Sequence, residues 1–233
     1  MNPPFEVAVT LGEGVRLSER EAGKGVSMVN RQVRYHYAPI WGRDLTVEFD
    51  THPERYDWLI RIVNDSTVPG AAGWHSINVD DQNRVIAEVA LNQPFPWTAV
   101  LSHEVLEMLS NQSVAGMEID RSTGLLYARE VCDPVQARLY NMEAGNYPVS
   151  DFVTPDWFSA DAHPNSTAFK TRDLNPFTIA EGGWAIRWDL DFNDHTIYYG
   201  EQRVEMIAEH TRSQIAKLTP ELLKLETASG MSA

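Results

Sequence analysis

The sequence predicts an α+β fold in which short strands surround one apolar helix. Apolar side chains cover most of the helix predicted at residues 98–112 (TAVLSHEVLEMLSNQ), so we expect that helix to be buried. Short segments on both sides of it alternate apolar and polar residues, which is typical of strands. The length of 233 residues suffices for one large hydrophobic core.

The segments before the apolar helix predict one helix and then several strands. Residues 5–10 indicate an edge strand or an arm. A helix is expected from Ser18 to about Tyr37, because Ser18 followed by Glu21 fits a capping box. Pro39 and Gly42 are expected to end that helix. Further strands are predicted at residues 44–50 and 56–64, and residues 74–80 and 85–91 predict a hairpin or two separate strands.

After the apolar helix, short strands alternate with loops. Loops are expected at residues 113–124 and 159–176, and an extended aromatic segment at 148–158. A strand or an extended run is predicted at residues 125–132, and strands are predicted at 137–142, 184–190 and 196–200. An amphipathic helix is predicted at 201–217 and a short helix at 219–226. We therefore expect a domain at residues 1–200 and a C-terminal helix and tail at 201–233.

Composition restricts the classes of function. The formal net charge of −14 excludes binding to nucleic acid or to an anionic membrane through a general positive field. Cys132 is the single cysteine, which excludes an intramolecular disulfide framework and a cysteine-based zinc knuckle. No signal peptide and no transmembrane segment are recognisable. We expect a cytoplasmic or virion-associated protein.

The pattern His103-Glu104-x-x-Glu107 gives the apolar helix its chemistry. Residues four apart lie on one helix face, so His103 and Glu107 can point at the same ion. A buried imidazole and a buried carboxylate are costly unless something satisfies them, and a divalent metal accepts both. Glu104 is then placed to deprotonate a metal-bound water as general base. The alternative is an H-E-x-x-E pattern that is solvated or salt-bridged and binds no metal.

The motif and the order of elements over residues 18–112 resemble the N-terminal half of the zincin metallopeptidase fold. The segments SHEVLEML, YAREVCDPVQ, VSDFVTPDWF and PFTIAEGGW also resemble a family of uncharacterised bacterial and phage-encoded proteins described as zincin-like. The resemblance implies helices packed on a twisted mixed sheet, with an exposed edge strand beside the cleft. The chain departs from that family at Asn111-Gln112, where Asp-Pro is usual, and in its C-terminal helix.

Resemblance to the gluzincin branch implies a third ligand beyond the helix. It assigns Glu130 as that ligand and Asp133 as the residue that holds the other ring nitrogen of His103, and the reverse assignment stays open. Other interpretations are an ion pair of Glu130 with Arg129 or Arg138, and a simple Asp-Pro turn at Asp133. Cys132 is expected to be a buried structural cysteine, and we expect a structural role for His75 as well.

These residues predict a zinc-dependent metallopeptidase or hydrolase, or a protein that has lost that activity. Zn²⁺ is the expected cofactor, although a ligand set rich in carboxylates also suits Mn²⁺, Fe²⁺ or Ca²⁺. An enzyme would bind a peptide or protein substrate along the strand at residues 74–79. The alternative is a non-catalytic structural protein, such as a phage virion component, that binds a partner through its C-terminal helix.

Overall fold

Two five-stranded sheets and one two-stranded sheet organise the chain in the computed structural model, which describes residues 5–79, 85–111, 116–142, 147–189, 194–199 and 202–204. The α-helices are α1 (Glu19–Gln32), α2 (Ala38–Trp41) and α3 (Trp97–Ser110). The strands are β1 (Phe5–Leu11), β2 (Leu45–Phe49), β3 (Trp58–Val63), β4 (Gly73–Val79), β5 (Val85–Ala90), β6 (Met117–Asp120), β7 (Leu125–Ala128), β8 (Leu139–Asn141), β9 (Pro148–Ser150), β10 (Trp184–Asp189), β11 (Asp194–Tyr199) and β12 (Gln202–Val204). The predicted α+β class is confirmed.

The first sheet has the strand order β2-β1-β3-β5-β4. Its strands pair in parallel except β4, which runs antiparallel to β5 and lies at the end of the sheet. The prediction of a hairpin or two short strands here is confirmed. The expectation that residues 5–10 form an edge strand or an arm is wrong, because β1 lies between β2 and β3. Val7 and Val9 are buried on one face of the sheet and Ala8 on the other.

Helices α1 and α3 pack on one face of this sheet and contact each other. A Cβ atom on Gly25 would lie 2.2 Å from the Trp97 ring, so only glycine permits this approach of α1 to the start of α3. Ser18 caps α1 by accepting a hydrogen bond from the Glu21 amide, as predicted. The helical path reaches Tyr37 through a π-helical turn (Val33–Tyr37) and continues through α2, which contains Pro39. It ends at Gly42 in a left-handed conformation, so Gly42 and not Pro39 ends the helix as predicted.

The second sheet is antiparallel, with the order β12-β11-β10-β7-β6. The loop predicted at residues 113–124 is wrong where β6 pairs with β7. The strand predicted at 125–132 ends at Ala128, so residues 129–133 leave the sheet. Gln202–Val204 pair with β11, which contradicts a helix beginning at residue 201. The rest of the predicted C-terminal helices lies outside the described residues, and the division at residue 200 stays a prediction.

One hydrophobic core joins the helices to both large sheets. Phe152 and Trp157 are fully buried in it, so these two aromatic side chains belong to the core. Among the residues described, no helix combines the length and the apolar character that crossing a membrane requires.

Candidate metal centre

The His103-Glu104-x-x-Glu107 motif lies in the middle of α3, where every residue except Trp97 and His103 is buried. Glu104 is 5% exposed and Glu107 is 3% exposed. This burial confirms the apolar-helix prediction and contradicts a solvated face. Two carboxylates in such a helix are costly unless charged or polar groups surround them.

The side chain of His103 lies between two carboxylates. Its Nε2 atom is 3.1 Å from Glu107 Oε2 and 3.2 Å from Asp133 Oδ1. The other oxygen of Glu107, Oε1, accepts a hydrogen bond from the backbone amide of Cys132 at 3.2 Å. The segment after β7 therefore contacts the helix motif through both its backbone and its side chains.

That segment brings Glu130 to the same side of α3. Glu130 Oε1 accepts a hydrogen bond of 2.9 Å from Asn111 Nδ2, and Asn111 Oδ1 accepts one of 2.6 Å from the Gly116 amide. Arg129 instead donates to Glu118 at 2.9 Å through Nε. Asn111 thus orients a predicted ligand.

Asp133 begins a turn of 3₁₀-helix, Asp133–Val135, while its side chain faces His103. Its carboxylate approaches Nε2, the nitrogen that also faces Glu107. The assignment of Asp133 as the residue that holds the other ring nitrogen of His103 stays a prediction. In this position Asp133 and Glu107 can contact one ion together with His103, so Asp133 and Glu130 both stay candidates for the further ligand.

His75 on β4 completes the cluster, although the sequence favoured a structural role for it. Its Nδ1 lies 3.0 Å from Glu104 Oε2, and its Nε2 lies 3.8 Å from Glu130 Oε2. The neighbouring Trp74 points to the opposite face of the sheet, where its indole donates to Glu88. Strand alternation thus directs His75 toward α3. The alternation of side chains along a strand that precedes the motif helix was the sequence signal that could have identified His75.

The charges of the cluster shift its pKa values strongly. Burial alone would lower the pKa of His75, but the hydrogen bond to Glu104 and the nearby carboxylates outweigh it and raise the pKa to about 9. Burial likewise opposes the charged form of His103, yet Glu107 and Asp133 hold its pKa well above the usual range. The pKa of Asp133 is raised by burial and by the charge of Glu107. The carboxylates of the cluster thus favour a positive charge at its centre.

Ligand atoms converge on Glu107 in two overlapping groups. His103, Glu107 and Cys132 each offer one atom within 4.8 Å of the others, and so do His75, Glu107 and Glu130. A tetrahedral zinc site with bonds of about 2.0–2.3 Å separates its ligand atoms by roughly 3.3–3.8 Å. Several pairs in the cluster already lie near this separation. Cys132 is fully buried, as predicted, but its sulfur lies among the candidate ligands.

Comparisons with known proteins found no matching family model, no matching curated protein and no matching solved structure. The geometry of this cluster is therefore the observation from which a function is inferred.

Proposed function

We propose that this chain binds a divalent metal ion, with Zn²⁺ as the first candidate, through His103, Glu107 and one or both of Glu130 and Asp133. The supporting observation is the convergence of these side chains, all buried except the partly exposed His103, from α3 and from the segment after β7. Four carboxylates and two imidazoles share this volume, and a divalent cation would offset the excess negative charge.

A zincin-like fold is part of the same proposal. Its support is a mixed sheet whose antiparallel strand β4 lies at the edge, in contact with the motif helix α3. A peptide substrate would pair with the outer edge of β4, since an edge strand offers backbone donors and acceptors for strand addition.

We further propose that the bound metal serves a hydrolytic reaction in which Glu104 is the general base. A divalent ion supplies Lewis acidity and makes water acidic enough to lose a proton near neutral pH. Glu104 follows His103 directly on α3, and in this proposal its carboxylate accepts that proton. One of its oxygens, Oε2, contacts His75, while Oε1 lies against Gly73 at the start of β4.

The rival proposal is a non-catalytic protein, such as a virion component, that keeps the metal for stability. The favouring observation is that Glu104 is buried and already hydrogen-bonded to His75. Structural metal contributes directly to folding free energy. This proposal includes the expected location in the cytoplasm or in a virion. It also includes a partner protein that binds the C-terminal segment.

The first prediction concerns metal content. Chain purified without a histidine tag should carry close to one equivalent of metal, and His103→Ala should carry almost none because it lacks a ligand. Elemental mass spectrometry measures both samples. His163→Ala, which removes an exposed histidine, is the matched control and should keep the metal. Absence of metal in the wild type, with a melting temperature insensitive to zinc and chelator, would contradict the proposal.

The second prediction separates catalysis from metal retention. Glu104→Gln should reduce peptide hydrolysis by about 10²-fold or more, because the amide cannot accept the proton. The amide keeps a similar volume and a hydrogen-bond acceptor, so metal content and melting temperature should change little. Hydrolysis of a peptide library by the zinc-loaded chain, followed by mass spectrometry, measures the effect. Equal cleavage by both chains would exclude Glu104 as the base.

A further inference from the structure

The imidazole of His75 is satisfied on one side only. The residue is 9% exposed, and its Nδ1 lies 3.0 Å from Glu104 Oε2. Its Nε2 is buried and has no hydrogen-bond partner among the described residues. A buried ring nitrogen in this condition is costly, so a missing partner is expected at that atom.

The carboxylates near Nε2 indicate what that partner is. Glu130 Oε2 lies 3.8 Å from Nε2, and the ligand atoms of His75, Glu107 and Glu130 are mutually within 4.8 Å. These separations exceed a hydrogen bond but suit atoms that share one cation. The unpartnered nitrogen therefore faces a position bounded by two carboxylates.

We propose that His75 is itself a metal ligand through Nε2, and that Glu104 is the residue that positions it. This inference rests on the proposed function, since it concerns the same metal. A histidine ligand commonly donates its second ring N–H to a carboxylate, which fixes the tautomer and the ring orientation. The Nδ1–Glu104 contact has this geometry.

The fold holds His75 in place from both sides of the strand. His75 is opposite Ala87 of β5, which is buried in the core on the same face of the sheet. On the other face, Glu88 accepts hydrogen bonds from the Trp74 indole and from Thr67, which ties β4 to the preceding loop. The strand therefore presents His75 in a fixed direction.

A second imidazole ligand changes the chemistry of the centre. The ligand set becomes two histidines, His75 and His103, with Glu107 and Glu130 as carboxylates. Two imidazoles with carboxylates suit Zn²⁺ and other first-row transition metals, whereas Ca²⁺ prefers oxygen ligands alone. It also gives Glu104 a second role that a glutamine can partly fulfil, because an amide oxygen still accepts the Nδ1 hydrogen bond.

Two measurements on the full chain test the inference. Calorimetric titration of the metal-free protein with Zn²⁺ gives the affinity, and pulsed EPR of the Cu²⁺-loaded protein counts coordinated imidazoles. We expect two coordinated imidazoles in the wild type and one in His75→Ala. The zinc affinity of His75→Ala should be lower than that of the wild type by about 10–100-fold or more. Glu104→Ala should weaken zinc binding by about the same factor, and Glu104→Gln should restore most of it. His52→Ala, at an exposed side chain, is the control and should change neither result.

The possible outcomes distinguish the proposed role of His75 from the proposed metal site itself. Zinc binding by the wild type with one coordinated imidazole, and unchanged affinity in His75→Ala, would overturn the role of His75 while leaving the metal site intact. Absence of zinc binding in the wild type would overturn both. If His75→Ala does not fold, the imidazole count of the wild type and the contrast between Glu104→Ala and Glu104→Gln still decide the question.

Discussion

Glu107→Ala is expected to remove both the metal and much of the stability of the chain. Glu107 is the carboxylate common to both groups of candidate ligands, and it contacts His103 and the Cys132 amide. Removing one member of a buried ion pair costs about 3–5 kcal/mol. Asp133 still faces His103 in this variant, so we expect a loss near the lower end of that range, with the Cys132 amide also losing its acceptor. For a chain of this length that corresponds to a fall of about 10 °C in melting temperature. Thermal unfolding with and without added Zn²⁺ measures the change.

The matched control is another buried carboxylate away from the cluster. Asp120 is 5% exposed at the end of β6 and accepts three hydrogen bonds from Ser122 and Thr123. Asp120→Ala should also lower the melting temperature but should keep the zinc-dependent rise that Glu107→Ala loses. A similar zinc response in both variants would show that Glu107 does not bind the ion.

Gly73→Ala is expected to disturb the cluster without removing any of its side chains. A Cβ atom at this position would lie 2.5 Å from Glu104 Oε1 and 2.6 Å from Val100 Cγ1. Both neighbours belong to the buried helix α3, so β4 has to move away from it at a cost of about 1–3 kcal/mol. Because His75 lies two residues further along β4, its contact with Glu104 should lengthen. We expect zinc affinity to fall about 10–100-fold, measured by calorimetric titration.

Gly23→Ala provides the comparison. Gly23 lies in α1, and a Cβ atom there would have no neighbour within 4 Å. Alanine in a helix interior is favoured over glycine by about 0.5–1 kcal/mol, so this variant should be slightly more stable and should bind zinc as the wild type does. If Gly73→Ala bound zinc equally well, the approach of β4 to α3 would not be needed for the site.

The metal-binding motif on α3 could be predicted because the residues that identify it lie within one short segment of the sequence. The spacing of His103 and Glu107, together with the apolar flanks, gives one buried helix face without knowledge of the fold. The contribution of His75 could not be predicted in this way, since it depends on the pairing of β4 with β5 and on the packing of β4 against α3. The role of Asn111 depends likewise on the turn that brings Gly116 and Glu130 to it.

The fold shows the same division between local and long-range information. Capped helices and alternating strands were predictable from residues 18–91, because periodicity and turn residues act over a few positions. The central position of β1 was not, since pairing with both β2 and β3 is decided by packing. At residues 202–204 a helical pattern was overridden by pairing with β11. Helix propensity is weak compared with such tertiary contacts.

Cys132 gives the chain an intrinsic probe of its own local opening. The thiol is fully buried, and burial together with the charge of Glu107 raises its pKa well above the usual range. Alkylating reagents react with the thiolate of an accessible cysteine, so the native sulfur is protected both by its burial and by its raised pKa. Because the chain has one cysteine and its sulfur lies beside Glu107, every labelling event reports an opening of this region rather than of a distant segment.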